Sequence, residues 1–395
     1  MIIYFLIHFT TLISISSSNQ FLQTPFYITQ GSFYLTLLSS KKTLNLPLDL
    51  AIPFTFTTPF HFTIPSSQTY SMSVTLNSFQ YKAALITETF YIESNNENYE
   101  THNITIPNYQ FYLIEDTSIY LRRDDGISFS YKYISPYNSI IHILYEHNFI
   151  SSKSFSFITN NEYGGMLYLG KNNNLDVSNY KSFEINVDKD KSQWGSSSLV
   201  QIGICLNGTN YIYDIHRKEN EGYFYFQTAV PYIYVSKKFF NFIIDVINKE
   251  ELNDECWVSE TKSQRELYCN EGMLMYFDNV NLNFNNAYKQ ISMKLNEMFE
   301  CQRGICRCDL VHSMYMNRND NLIFGISFIT KFYMSEFNYD KNMITLFTRS
   351  ANIKFNDLYY INTHNQRKIK ILYILTNCIC LIMGIFLYIT NIKYH

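Results

Sequence analysis

The sequence predicts an all-β protein of two similar lobes, with few short helices and a C-terminal transmembrane helix. Two near-copies carry the duplication: Asp49-Leu50-Ala51-Ile52-Pro53-Phe54-Thr55-Phe56 and Gln227-Thr228-Ala229-Val230-Pro231-Tyr232-Ile233-Tyr234. They share Ala, a β-branched residue, Pro and two aromatics at matching places, as equivalent turns of a repeated architecture would. Short β-branched and aromatic runs bounded by Ser, Asn and Gly carry the all-β reading. The apolar stretch 371–390 matches the ~20 residues that a bilayer-spanning helix needs.

In chain order, Met1 to Ile15 is an apolar run that closes on Ser16, Ser17 and Ser18, which reads as a signal peptide over 1–18. An uncleaved anchor is the rival reading. Strands are expected at 33–37, 70–76, 84–92, 154–158 and 166–169. Helices are expected from Ser139 to His147 and from Lys237 to Ile247, where apolar residues recur at three- and four-residue spacing. Asn95 to Asn98 and Asn172 to Asn174 read as polar loop tips. The domain plan is a first lobe over 19–185, a second over 186–347, a stalk over 348–370, the membrane helix and a short tail over 391–395.

With the signal peptide, this plan gives a single-pass type I protein of the secretory pathway, at the cell surface or in a lysosome-like compartment. The charges flanking the apolar segment, Arg367, Lys368 and Lys370 against Lys393, argue the other way; the signal peptide decides the orientation. A GPI signal is the rival reading of the C-terminus, but Asn391 to His395 places polar residues after the apolar stretch, which such a signal lacks.

Composition excludes other classes. A chain of 395 residues, 46% hydrophobic and 16% charged, buries a large core and is no disordered tail. The net charge of -3 and the lack of a basic stripe exclude nucleic acid as a partner. Six cysteines lie before the membrane segment: Cys205, Cys256, Cys269, Cys301, Cys306 and Cys308. All fall in the second half and fit disulfides of an oxidising compartment, with connectivity unreadable from spacing. Cys301, Cys306 and Cys308 with His312 make a poor tetrahedral set, so no metal is expected, and no motif calls for a cofactor. Asn103-Ile104-Thr105 and Asn207-Gly208-Thr209 are N-glycosylation sequons.

Four stretches in order then resemble one family. Leu38 to Asp49 reads as a strand approaching a turn, and Asp125-Gly126-Ile127 leads through Ser139-Ile140-Ile141 to Gly164-Gly165-Met166-Leu167-Tyr168-Leu169-Gly170. Phe224 to Ala229 repeats the approach, and Leu322-Ile323-Phe324-Gly325-Ile326-Ser327-Phe328 runs on to Ile344. The chain resembles the pepsin-like aspartic peptidases over Phe33 to Phe347. The resemblance implies a bilobal fold with a central cleft, in which each lobe contributes one Asp from an Asp-Thr/Ser-Gly turn.

Those turns are altered. The resemblance places Asp49 at the first catalytic position and Gln227 at the second. Two close carboxylates share one proton and so supply a base and an acid, whereas an amide exchanges no proton near neutral pH. The family's Thr after the first Asp is Leu50, leaving Thr228 as half of a mutual grip between the turns. Both turn glycines are alanines, Ala51 and Ala229, which predicts remodelled turns because Gly serves where backbone approaches closely. The family's hairpin Tyr falls near Asn77, with Tyr81 available if that hairpin shifts. The dozen residues between Ser18 and Phe33 are too few for the family's inhibitory prosegment.

The expectation is an inactive, membrane-anchored pseudopeptidase that holds an extended peptide or protein segment in its cleft. The alternatives are an active aspartic endopeptidase with an unusual dyad, and a structural surface protein whose cleft is filled by Phe54, Phe56, Tyr232 and Tyr234.

Overall fold

The computed structural model describes residues 21–357 except 30, 40–42, 58–71, 77–78, 96–100, 115–125, 133–138, 162–163, 174, 192, 216–222, 286–288 and 315–319. The expected signal peptide, membrane helix and tail, and the site at Asn77, lie outside the described residues. Among the described residues no helix is long and apolar enough to cross a membrane.

Strands dominate, as the patterning predicts. Six run antiparallel side by side in the order Lys181–Asn186, Met343–Thr348, Met334–Asn338, Ser154–Asn161, Gly164–Leu169 and Leu22–Thr29. Because the second and third come from the end of the chain and the last three from its first half, this ladder joins the two lobes. Gly165 lets two of these strands close up, since a Cβ there would lie 2.0 Å from the Ile158 carbonyl oxygen. Over the junction Trp194 is fully buried, its ring 4.7 Å from Tyr339, 5.3 Å from Phe337 and 5.7 Å from Phe155. Each such ring contributes about 1.5–3 kcal/mol by leaving water.

The lobes repeat one topology. In the first, Phe56–Thr57 runs parallel to the end of Thr101–Ile114, which pairs with Phe79–Asn95, which pairs with the hairpin strand Met72–Leu76. In the second, Ile233–Val235 runs parallel to Leu310–Ser313, which pairs with Gln264–Asn270, which pairs with the hairpin strand Cys256–Glu260. The duplication visible in the two turns therefore extends to the strands around them.

Both expected helices form. Ile140–Glu146 starts at Ser139, whose hydroxyl accepts the His142 backbone N–H at 3.2 Å, and buries Ile140, Ile141 and Leu144. Lys237–Lys249 starts at Ser236, whose hydroxyl accepts the Phe239 N–H at 3.2 Å, and buries Phe239, Phe240, Ile243, Val246 and Ile247. Serine at these N-caps satisfies an amide that the first turn leaves open. A third, four-residue helix, Ile326–Ile329, follows Gly325 and escapes periodicity by its shortness.

Two expectations change. Ile353–Asp357 is a strand beside Lys289–Lys294, with Ile353 buried and Phe355 packed on the core, so the folded body extends into the segment read as stalk. Of the six candidate disulfide cysteines, Cys256–Cys269 and Cys301–Cys306 are bridged, while Cys205 and Cys308 remain thiols. Cys205 instead meets Asp278, its Sγ 3.4 Å from a carboxylate oxygen. Burial at Cys308 pushes the thiol up to about 12.

Candidate functional site

The strand Thr43–Asp49 delivers Asp49 into the junction, and Tyr223–Phe226 delivers Gln227 opposite it. Each strand is held by a parallel neighbour, Ile127–Ser128 in the first lobe and Asp320–Phe324 in the second. Asp49 is fully buried and Gln227 is 6% exposed. The two side chains meet directly: Gln227 Nε2 donates to Asp49 Oδ1 at 2.9 Å. The same oxygen accepts the N–H groups of Ala51 and Ile52, both at 2.8 Å. Gln227 Oε1 accepts the Leu50 N–H at 3.2 Å and the Ala229 N–H at 3.3 Å. The sequence-predicted pair is thus brought together, and each turn folds its own amides onto its leading side chain.

The alanines do not prevent this. Neither Ala51 nor Ala229 stands among the residues with positive φ, so neither position demands glycine. The turns keep the amide-to-side-chain closure that remodelling would have lost. The grip between them is one-sided, as its hydroxyls predict. Thr228, fully buried, donates from Oγ1 to the Leu48 carbonyl at 2.6 Å, and Phe33 N–H donates to the Thr228 carbonyl at 3.0 Å. Leu50 joins the apolar core instead.

Sequence reasoning missed what supports the first turn. Phe129 N–H donates to the Asp49 carbonyl at 2.7 Å, and the Phe129 carbonyl accepts Trp194 Nε1–H at 2.7 Å and the Tyr339 hydroxyl at 3.3 Å. Ser128 Oγ donates to the Ile52 carbonyl at 2.5 Å, and its N–H donates to Thr55 Oγ1 at 3.0 Å. Thr55 shares a 2.5 Å hydrogen bond with the Tyr109 hydroxyl. Burial pushes that phenol up to about 12, against the lowering by Thr55. The one signal available was Trp194 itself, because a buried indole needs an acceptor.

The second turn leans on the short helix. Ile326 and Ser327 N–H groups donate to the Val230 and Pro231 carbonyls, both at 2.9 Å. Gly325 makes that approach feasible, since a Cβ there would sit 2.1 Å from the Tyr232 carbonyl oxygen. Gly31, at φ +70°, lies against Pro231 from the first lobe.

The aromatics of the two turns pack within their own lobes. Phe54 and Phe56 cluster with Ala83, Tyr112 and Ile114, with the Phe54 and Tyr112 rings 5.2 Å apart. Tyr232 lies under the Arg307 guanidinium, 4.5 Å from the ring centre, and 6.3 Å from the Tyr234 ring. Tyr81 pairs with Val74 across the first hairpin. Both sequon asparagines are exposed: Asn103 on a strand, and Asn207 at a hairpin turn with φ 49°.

Chemically, the arrangement is one carboxylate against one amide. Gln227 gives no second proton site beside Asp49. Strand topology and paired turns define a fold class, the pepsin-like aspartic proteinase fold. The structure is similar to the aspartic proteinase from Irpex lacteus, with a TM-score of 0.61 and 12% identity, covering 86% of this chain and 99% of that one. It is equally similar to conglutin gamma, a basic 7S globulin from lupine seeds, with a TM-score of 0.60, 12% identity and coverage of 84% and 96%. The basic 7S globulin from soybean gives 0.61, 10% identity and coverage of 85% and 98%. No family model and no curated protein matches the sequence. At such identities the likeness is one of fold alone.

Proposed function

We propose that this chain is a pseudopeptidase of the pepsin-like fold, tethered to a membrane of the secretory pathway and holding an extended peptide or protein segment between its lobes. One observation carries the reading. The group facing Asp49 is the Gln227 amide, which spends a donor on the carboxylate and its carbonyl on two backbone amides. The water-activating base and the carbonyl-protonating acid of a carboxyl dyad therefore have no second member here. A buried amide in this role keeps the two turns registered and leaves the fold able to bind without turnover. The tether rests on the apolar segments 1–15 and 371–390.

The test assays the protein against a mixed peptide library from acidic to neutral pH, alongside Asp49→Ala. The expected result is no turnover by either, with peptides retained by the unmodified protein. Turnover that Asp49→Ala abolishes would overturn the proposal.

A further inference from the structure

The four bridged cysteines form one cross-strand row. Cys256 is the register partner of Cys269, Cys269 of Cys306, and Cys306 of Cys301, across the adjacent strands Cys256–Glu260, Gln264–Asn270, Ile305–Cys308 and Phe299–Gln302. Side chains directly opposed across strands share a face. The bridges join the outer pairs, Cys256–Cys269 and Cys301–Cys306. The two inner cysteines, Cys269 and Cys306, are fully buried and face each other, while Cys301 is exposed at the end of the row. Directly opposed residues stand about 4.5–5.5 Å apart at Cα, within the span a disulfide bridges. The row thus contains a third, unused pairing.

The geometry points to a thiol–disulfide exchange site on the second lobe, where a protein dithiol opens the Cys301–Cys306 bridge at the exposed Cys301 and Cys306 then captures Cys269 from Cys256. The dithiol's thiolate attacks Cys301 Sγ, forming a mixed disulfide and expelling Cys306 as thiolate. Cys306 Sγ attacks Cys269 Sγ, forming the Cys269–Cys306 bond and expelling Cys256 as thiolate. The dithiol's second sulfur resolves the mixed disulfide, releasing Cys301. Two bridges and one dithiol become one bridge, two cysteine thiols and one oxidised dithiol. The two protons from the dithiol end on Cys256 and Cys301.

Two features favour this path. Cys306 is released beside Cys269, its register partner on the adjacent strand. Cys308 does not compete, because burial holds its thiol protonated at neutral pH, with its pKa pushed up to about 12. The exchange also moves a tether. Cys256 belongs to a strand that, among the described residues, pairs only with Gln264–Asn270. After exchange, the ladder alone holds that strand, while the other hairpin strand becomes bonded to its inner neighbour. This hairpin is the topological twin of Met72–Leu76 with Phe79–Asn95 in the first lobe.

The full-chain oxidised protein is treated with one equivalent of dithiothreitol, quenched with N-ethylmaleimide and mapped by non-reducing peptide mass spectrometry. The expected dominant species has Cys269 bridged to Cys306, with Cys256 and Cys301 alkylated and amide exchange raised over 256–260. A dominant species with Cys301 and Cys306 alkylated and Cys256–Cys269 intact would overturn the proposal, as would loss of both bridges together. Cys256→Ser supplies a second reading: Cys269–Cys306 bridged with Cys301 free supports the exchange, and Cys301–Cys306 bridged with Cys269 free refutes it. Should that variant fail to fold, the dithiothreitol map of the unmodified protein decides alone. Cys308→Ser is expected to leave the map unchanged.

Discussion

Placing a carboxylate at position 227 tests the geometry of the site more sharply than an activity assay does. Gln227 Nε2 lies 2.9 Å from Asp49 Oδ1, and Asp49 is fully buried. In Gln227→Asp the shorter side chain places two carboxylates roughly 4 Å apart, where like charges repel by about 4 kcal/mol at an effective dielectric of about 20. The pair relieves this by sharing a proton. That proton is held more tightly in the folded protein than in the unfolded chain, where Asp titrates near ~3.9. The folded pKa therefore lies above the unfolded value. Stability is fully present in acid and falls as pH rises through the folded pKa. Gln227→Asn carries the same shortening and the same lost contacts to the Leu50 and Ala229 amides, but no charge. Thermal melts of both variants at a series of pH values from acid to neutral separate the terms. The Asp variant is expected to match the Asn variant in acid and to fall behind it by up to about 4 kcal/mol at neutral pH. A difference between them that does not change with pH would refute the facing arrangement of residues 49 and 227.

Other perturbations follow from the same contacts. Thr228→Val removes the donor to the Leu48 carbonyl and leaves a buried acceptor open, which costs about 1–3 kcal/mol, read as a lower urea midpoint with unchanged slope. Gly325→Ala drives a Cβ to 2.1 Å from the Tyr232 carbonyl oxygen, so loss of cooperative unfolding or a stability drop of several kcal/mol is expected; wild-type melting would contradict it. Burial raises the Asp309 carboxyl to about 6, outweighing the lowering by Lys331 and Arg307. A raised folded pKa means stability that is present in acid and is lost as pH rises from about 4 to about 6. Asp309→Asn is therefore expected to match the unmodified protein near pH 4 and to exceed it by about 3 kcal/mol at neutral pH, measured by melts at both values.

The turns were legible because duplication is written in linear order: matching residues at 49–56 and 227–234 become matching strands and turns. Both helices were legible because their apolar residues recur at three- and four-residue spacing, and that spacing becomes the buried face of each. The support behind Asp49 was not, since Trp194 and Tyr339 reach the Phe129 carbonyl, and a main-chain acceptor leaves no trace in residue identity. The strand Ile353–Asp357 was read as stalk although Ile353 and Phe355 alternate with Lys354 and Asn356; five residues near a polar stretch carry too little periodicity to outweigh composition. Disulfide pairing was closed to sequence because register, not spacing, opposes Cys256 to Cys269 and Cys301 to Cys306.

The lobes share topology but solve the same burial problem in opposite ways, and this asymmetry is open to measurement. Where the first lobe pairs Ala83 with Ile114 beneath its hairpin, the second pairs Gln264 with Ser313. Beside that pair Glu266, 7% exposed, accepts Gln264 Nε2–H and the Tyr268 hydroxyl, both at 2.9 Å. A carboxylate so covered is tolerated only because its oxygens are bonded. Glu266→Leu imposes the first lobe's apolar solution but takes the acceptor from two half-exposed donors, at about 0.5–1.5 kcal/mol each. Removing the donors as well, in Glu266→Leu with Gln264→Ala and Tyr268→Phe, is expected to recover most of that loss, because replacing all partners of a buried polar group together costs far less than removing one. Urea unfolding of the single and triple variants measures the coupling. A triple variant less stable than Glu266→Leu alone would mean that side-chain packing, not the hydrogen bonds to Glu266, holds the second hairpin to its lobe.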